Sequence, residues 1–238
     1  MLRFLLTIIF NLHICIYFYF LMKKNKNESA KNKYKIAKRV IKKITKRNRA
    51  TVKAFNCENI PDENGYVMLS NHQGRFDGLA IINSCDVPFS AIVDVTRSNF
   101  PLERRFLDLL ECKYIKKTNY RETISIFNDV ANDIKDGKNY LIFPEGYYKD
   151  NKNTLQTFHS GCLNVVYKSK CPIIPICLYD TYKVYNVNSL RKVSCEVHYL
   201  KPIYYDEYCN LRKHELIELV KSRIQEKIDE LNNKNATK

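Results

Sequence analysis

None of the nine cysteines of this 238-residue chain stands in a Cys-x-x-Cys pair, so the spacing that closes structural zinc sites is missing and no metal centre is implied. Cys85, Cys162, Cys177 and Cys195 fall in apolar stretches and read as small reduced core residues of a chain facing the cytoplasm. Internal repeats and low-complexity tracts are also missing. One globular domain with an N-terminal appendage is the organisation this length supports. Acidic residues are nearly absent from residues 23–53, which hold 14 Lys and Arg against a single acid, Glu28. The net charge of +15 is concentrated there, and from Ala54 onward the chain is almost neutral. Nucleic-acid modules interleave aromatic with basic residues, whereas this run holds only Tyr34. Nucleic acid is therefore not expected as a partner.

What precedes the basic run is apolar. Residues 2–22 are interrupted only by Arg3, Thr7, Asn11 and His13, and a helix of about 20 residues rises roughly 30 Å, the hydrocarbon thickness of a bilayer. A cleaved leader is disfavoured, because Tyr17-Phe18-Tyr19-Phe20 fills the place where small cleavage-site residues stand. Residues 1–22 are expected to be a transmembrane or membrane-anchoring helix. Residues 23–51 would follow as a basic juxtamembrane helix drawn to anionic headgroups, which puts the protein at the cell membrane with its domain on the cytoplasmic side. Ile36, Ala37, Val40, Ile41 and Ile44 recur at helical spacing, with Lys35, Lys38, Arg39, Lys42 and Lys43 on the other faces. Such a helix either lies in the membrane interface or packs on the domain.

Residues 52–231 then alternate short apolar runs with helical stretches. Strands are expected at 66–70, 89–95, 114–115, 140–143, 173–178 and 193–200, and helices at 76–84, from Pro101, at 121–136, at 161–168 and over the last stretch before a frayed tail, 232–238. Pro175 inside its strand points to a sheet edge or a bulge. Strands separated by crossover helices require an α/β fold, a largely parallel sheet covered by helices, with the chemistry at the strand ends.

Four blocks carry that chemistry: Asn71-His72-Gln73-Gly74-Arg75-Phe76-Asp77, Lys113-Tyr114-Ile115-Lys116-Lys117, Phe143-Pro144-Glu145-Gly146 and Cys171-Pro172-Ile173-Ile174-Pro175-Ile176. His72 follows a strand and Asp77 lies five residues on, close enough to orient the ring. An imidazole held at one nitrogen by a carboxylate presents the other as a base, and without an activated serine or cysteine beside it the pair suits deprotonation of a substrate hydroxyl. Asn71 offers polar capping and Gly74 conformational freedom to that turn. Phe143-Pro144-Glu145-Gly146 ends another strand, and two strand ends of a parallel sheet would bring His72 and Glu145 to one rim.

In order and spacing these blocks resemble the glycerolipid acyltransferase family, the 1-acyl-sn-glycerol-3-phosphate acyltransferases and related lysophospholipid acyltransferases, over roughly residues 52–205. The first and third blocks match the family's Asn-His-x4-Asp and Phe-Pro-Glu-Gly cores, and Phe158-His159-Ser160-Gly161 resembles its Phe-Lys-x-Gly stretch. The resemblance implies transfer of a fatty acyl group from acyl-CoA or acyl carrier protein to a lysophospholipid hydroxyl. His72 would be the base and Asp77 its orienter, with no cofactor beyond the acyl donor. Asn71, Gly74, Arg75, Lys117, Pro144, Glu145, Gly146 and Lys149 would shape the substrate site, with membrane lipids as partners. A thioester hydrolase using the same base on water, or a lipid-binding scaffold, would share these features. Two family arginines are replaced, one by Lys117 in the second block and one by Tyr148 after the third, with Lys149 next; lysine cannot grip a phosphate bidentately as arginine does.

Overall fold

The computed structural model describes residue 6 and residues 12–95, 101–116, 118–187 and 189–236. Its centre is one sheet of seven strands, β1 (Ala50–Phe55), β2 (Val67–Ser70), β3 (Ser90–Asp94), β4 (Lys113–Ile115), β5 (Tyr140–Ile142), β6 (Ile173–Tyr179) and β7 (Val193–Tyr199), in the order β1-β7-β6-β2-β5-β3-β4. Every neighbouring pair is parallel except β6 with β7. The helices are α1 (Leu12–Lys24), α2 (Ala30–Arg47), α3 (Asp77–Ser84), α4 (Pro101–Leu109), α5 (Tyr120–Lys135), α6 (Leu163–Ser169), the single turns α7 (Tyr182–Tyr185) and α8 (Tyr205–Tyr208), and α9 (Lys213–Ala236).

The side-chain period of two along each strand feeds two separate cores. Met68, Ile174, Ile176 and Leu178 point to the face covered by α2 and α3, where Ala37, Ile41, Ala80 and Ile81 meet them. Val67, Leu69, Ile173 and Cys177 point to the other face and meet Val130 of α5, Val166 of α6 and the α9 stripe of Ile217, Val220 and Ile224. With both faces covered, the central strands are apolar throughout, and all seven residues of β6 are buried.

Pro175 therefore sits in an interior strand, not at an edge. Its carbonyl accepts from Leu200 N–H at 2.9 Å, while Ile173 exchanges both backbone bonds with Ile203. Ile174 then stands opposite two residues, Lys201 and Pro202, so the missing proline donor falls at a local irregularity where the β6–β7 ladder ends. Two further differences lie at the ends of the chain. Residues 50–55 form β1, which pairs with β7 over six residues, where no strand was expected and the basic helix was expected to run to residue 51. At the other end α9 runs to Ala236, past the expected fraying point, because Tyr179 Oη donates to Asn232 Oδ1 at 2.8 Å and accepts from Asn235 Nδ2 at 3.2 Å.

The basic helix takes the second of its two expected courses. Tyr34, Ala37, Val40 and Ile41 of α2 are buried against the domain. Lys38 joins them, donating to Cys85 O at 2.6 Å and Asp86 Oδ1 at 2.5 Å, and Lys33 Nζ lies 2.8 Å from Glu111 Oε1. Lys31, Lys35, Arg39, Lys42, Lys43 and Lys46 remain exposed. Among the described residues no helix is long and apolar enough to cross a membrane; most of residues 1–11, where the anchoring expectation partly falls, lie outside them.

Candidate active site

The first block forms the bend between β2 and α3, and the carboxylate of Asp77, the first residue of α3, organises it. Asp77 Oδ2 lies 2.7 Å from His72 Nδ1 and accepts from the backbone N–H groups of Gln73 at 2.5 Å and Gly74 at 2.8 Å. Its Oδ1 lies 2.6 Å from the Thr181 hydroxyl. A fully buried carboxylate needs such partners, since an unpaired one would cost several kcal/mol. With Nδ1 held, Nε2 is the nitrogen on the far side of the ring. Phe143 stacks on the imidazole at 4.2 Å between centroids, and Tyr148 meets it edge-on at 4.7 Å. The ring is thus fixed in rotation by a carboxylate and on two sides by aromatic rings.

Gly74 is required for space rather than for its dihedral. Its φ is not left-handed, but a Cβ would stand 2.7 Å from Asn186 Oδ1, and Asn186 Nδ2 donates to Gln73 O at 3.3 Å. Asn71 also differs from expectation. Its amide is buried and spent on β6, with Nδ2 donating to Leu178 O at 3.0 Å and Oδ1 accepting from Leu178 N at 2.8 Å, so it stitches the loop to the sheet.

The third block is a four-residue turn closed by Gly146 N–H to Phe143 O at 2.9 Å, with Pro144 in second place and Gly146 at φ 69°. Glu145 points inward. It is buried, and its Oε1 accepts from the backbone N–H of His72 at 3.2 Å while Oε2 accepts from Gln156 Nε2. Burial pushes its carboxyl up to about 6, with the Gln156 and His72 hydrogen bonds pulling the other way. Glu145 therefore holds the His72 loop and is not among the residues of the cavity wall. β2 and β5 are parallel neighbours, so their ends put His72 and Glu145 on one rim.

A cavity of about 1700 Å³ opens beside His72, larger than the pockets that hold most small ligands. His72, Gly74, Arg75, Pro144 and Gly146 lie on its wall, together with apolar residues of α1, α2, α4 and α5. Lys149 is exposed, its Nζ 5.5 Å from the ring centroid of the wall residue Tyr147. Lys117 lies outside the described residues. Cys162 is on the wall, but burial pushes its thiol up to about 12 and its Sγ lies 3.2 Å from His159 O, which is the opposite of an activated nucleophile.

Several residues outside the four motif cores, or unmarked within them, also build this site. Gln73 Oε1 lies 3.0 Å from Thr181 N, which donates to it, and Gln73 Nε2 donates to Asn153 Oδ1 at 2.8 Å. Thr181 and Asp180 follow β6 directly, and polar residues at that strand end were the available signal. Nothing in the local sequence marks Gln156 or Asn153.

An oriented imidazole at the rim of a large apolar cavity supplies the base and the apolar space that acyl or lipid chemistry needs. Residues 51–179 match the family model described as Acyltransferase. The chain belongs to that family and is an acyltransferase enzyme. It is 24% identical over 176 residues to a 1-acyl-sn-glycerol-3-phosphate acyltransferase of Borreliella burgdorferi, covering 72% of this chain and 69% of that one. It is 25% identical over 179 residues to the enzyme of the same name from Salmonella typhimurium, covering 74% and 73%. The crystal structure of the 1-acyl-sn-glycerophosphate (LPA) acyltransferase PlsC from Thermotoga maritima shares its fold, with a TM-score of 0.71 at 17% identity over 95% of this chain and 98% of that one.

Proposed function

We propose that the protein moves a fatty acyl group from an acyl thioester, acyl-CoA or acyl carrier protein, to the free hydroxyl of 1-acyl-glycerol-3-phosphate or a related lysophospholipid, in phospholipid synthesis. The observation that carries this reading is the His72 Nδ1 to Asp77 Oδ2 contact of 2.7 Å at the wall of the apolar cavity. His72 Nε2 takes the proton of the acceptor hydroxyl as its oxygen attacks the thioester carbonyl. The tetrahedral intermediate collapses with cleavage of the carbon–sulfur bond, and the departing thiolate is protonated by the imidazolium that Asp77 stabilises. Neither a covalent acyl-enzyme nor a metal ion has a part in this sequence of steps. Phe143 and Tyr148 keep the ring from rotating away, Asn71 and Glu145 fix the backbone beneath it, and Thr181 holds the Asp77 carboxylate.

The same proposal places the protein at the cell membrane with the domain on the cytoplasmic side. Support comes from Leu12, Ile16, Tyr17 and Phe20, exposed on α1, beside the exposed cations of residues 23–46. Incubating purified protein with labelled acyl thioester and a panel of lysolipids, with products identified by mass spectrometry, tests the reaction. Diacyl product is expected; free fatty acid alone would mean that water is the acceptor.

A further inference from the structure

We propose that the corner between β4 and α5, with Tyr120 and Ile124 at its tip, is a second membrane-contacting rim that faces α1 across the cavity mouth, so that lipid enters from the bilayer between the two. This rests on the membrane-surface reading above. Tyr120 is 74% exposed and Ile124, one turn further along α5, is 41% exposed. Both nevertheless belong to the wall of the cavity that reaches His72, as do Leu12, Ile16 and Phe20 of α1, which are also exposed. The cavity is thus bordered by outward-facing apolar side chains from two elements far apart in sequence. A soluble surface rarely leaves such a border uncovered.

The character of the corner selects the occupant. Lys116 and Arg121 flank Tyr120 and are exposed, and the one acid beside them, Glu122, accepts from Asn119 Nδ2 at 2.9 Å. A ring with a polar tip, an aliphatic neighbour and flanking cations is the composition that suits the headgroup boundary of an anionic bilayer, as on the α1 side with Lys23, Lys24 and Lys26. A lysolipid whose chain slides between two lipid-immersed rims reaches His72 without exposing that chain to water, which the hydrophobic effect disfavours for every methylene.

The chain has no tryptophan, so Tyr120→Trp in the full-length protein gives a single-site reporter. With vesicles of phosphatidylcholine and phosphatidylglycerol the emission should shift to the blue and be quenched by brominated lipid. The double variant Tyr120→Ser, Ile124→Ser, checked for an intact thermal transition, should bind those vesicles about tenfold more weakly. Unshifted emission from protein that floats with the vesicles would overturn the proposal, as would a double variant of undiminished affinity. A blue shift without vesicles would also overturn it, because a second copy of the chain would then be the occupant. None of these readouts involves acyl transfer, so their failure is separable from failure of the catalytic reading.

Discussion

His72 donates its backbone N–H to Oε1 of Glu145 across 3.2 Å, joining two blocks 73 residues apart. The imidazole is therefore set by two carboxylates with different tasks. Asp77 acts on the ring itself, and Glu145 acts on the main chain that carries it. Both are buried, but the Asp77 carboxylate is met by two backbone N–H groups and a hydroxyl besides the imidazole, whereas Glu145 has one backbone donor and one amide.

That difference predicts a pH dependence of stability. The Glu145 carboxyl titrates at about 6 in the folded protein against an ordinary 4.5, so its folded value is raised. The associated stability is present below pH 4.5 and is lost as pH rises through about 6. The loss is on the order of 1–2 kcal/mol. Urea unfolding of Glu145→Gln, which keeps an acceptor for His72 N–H, should show that part of the pH dependence removed. An identical pH profile in variant and wild type would refute the assignment.

His72→Ala should reduce acyl transfer by at least ~10²-fold without unfolding the domain, since the base is lost and the half-buried ring is not a core element. Asp77→Asn should also impair turnover, because it removes the negative partner of the imidazolium. Near-normal turnover in folded His72→Ala protein would sink the proposed mechanism.

Thr181→Val tests the support of the dyad from behind. Valine fills the same volume but leaves Asp77 Oδ1 and Gln73 Oε1 without the hydroxyl that now lies 2.6 and 2.7 Å from them. A stability loss of ~1–3 kcal/mol is expected, with a fall in kcat and little change in KM. Thr181→Ser should restore both, and failure of that rescue would point to a packing role.

Much of this was legible in the sequence, because the signals were local. The short apolar strands, the interval from His72 to Asp77 and the Pro144-Glu145-Gly146 turn each follow from neighbouring residues, and a parallel sheet was enough to bring the first and third blocks to one rim. Where the reading missed, long-range pairing was the cause. Residues 50–55 are a strand only because β7 is there to pair with them, whereas Pro175 meets the bulge that was one of its two expected settings, with Lys201 and Pro202 opposite Ile174 before Ile203 pairs again with Ile173. Asn71 and Glu145 look like substrate ligands in one dimension. Their partners, Leu178 and Gln156, become visible only when the strand ends converge.

The N-terminal segment predicts how the protein leaves a membrane. Apolar residues of α1 are exposed, while Lys33 and Lys38 of the basic run are already engaged by Glu111, Cys85 and Asp86. Electrostatic attraction is then only part of the attachment, so extraction of the intact chain should require detergent. Release by high salt or carbonate would show attachment through the charged face alone.

The acceptor headgroup gives the last test, at Arg75 and at the positions where this chain departs from its family. Of the cations proposed for it, Arg75 is on the cavity wall three residues after His72, Lys149 is exposed over Tyr147, and Lys117 stands where the family's second block carries arginine. A guanidinium can hold a phosphate with two parallel hydrogen bonds and an ammonium cannot. If Arg75 supplies the main contact, Arg75→Ala should raise KM for lysophosphatidic acid by a factor matching ~1–3 kcal/mol of lost charge-assisted bonding, with a smaller change for an acceptor whose phosphate is masked, such as lysophosphatidylglycerol. Arg75→Lys should recover only part of the loss. Lys117→Arg should preserve or improve use of the phosphate-terminated acceptor, and Lys117→Ala should weaken it. Initial rates over a concentration series of both acceptors decide between the positions: an equal change on the two acceptors would remove that residue from headgroup recognition and leave it a role in folding or donor binding.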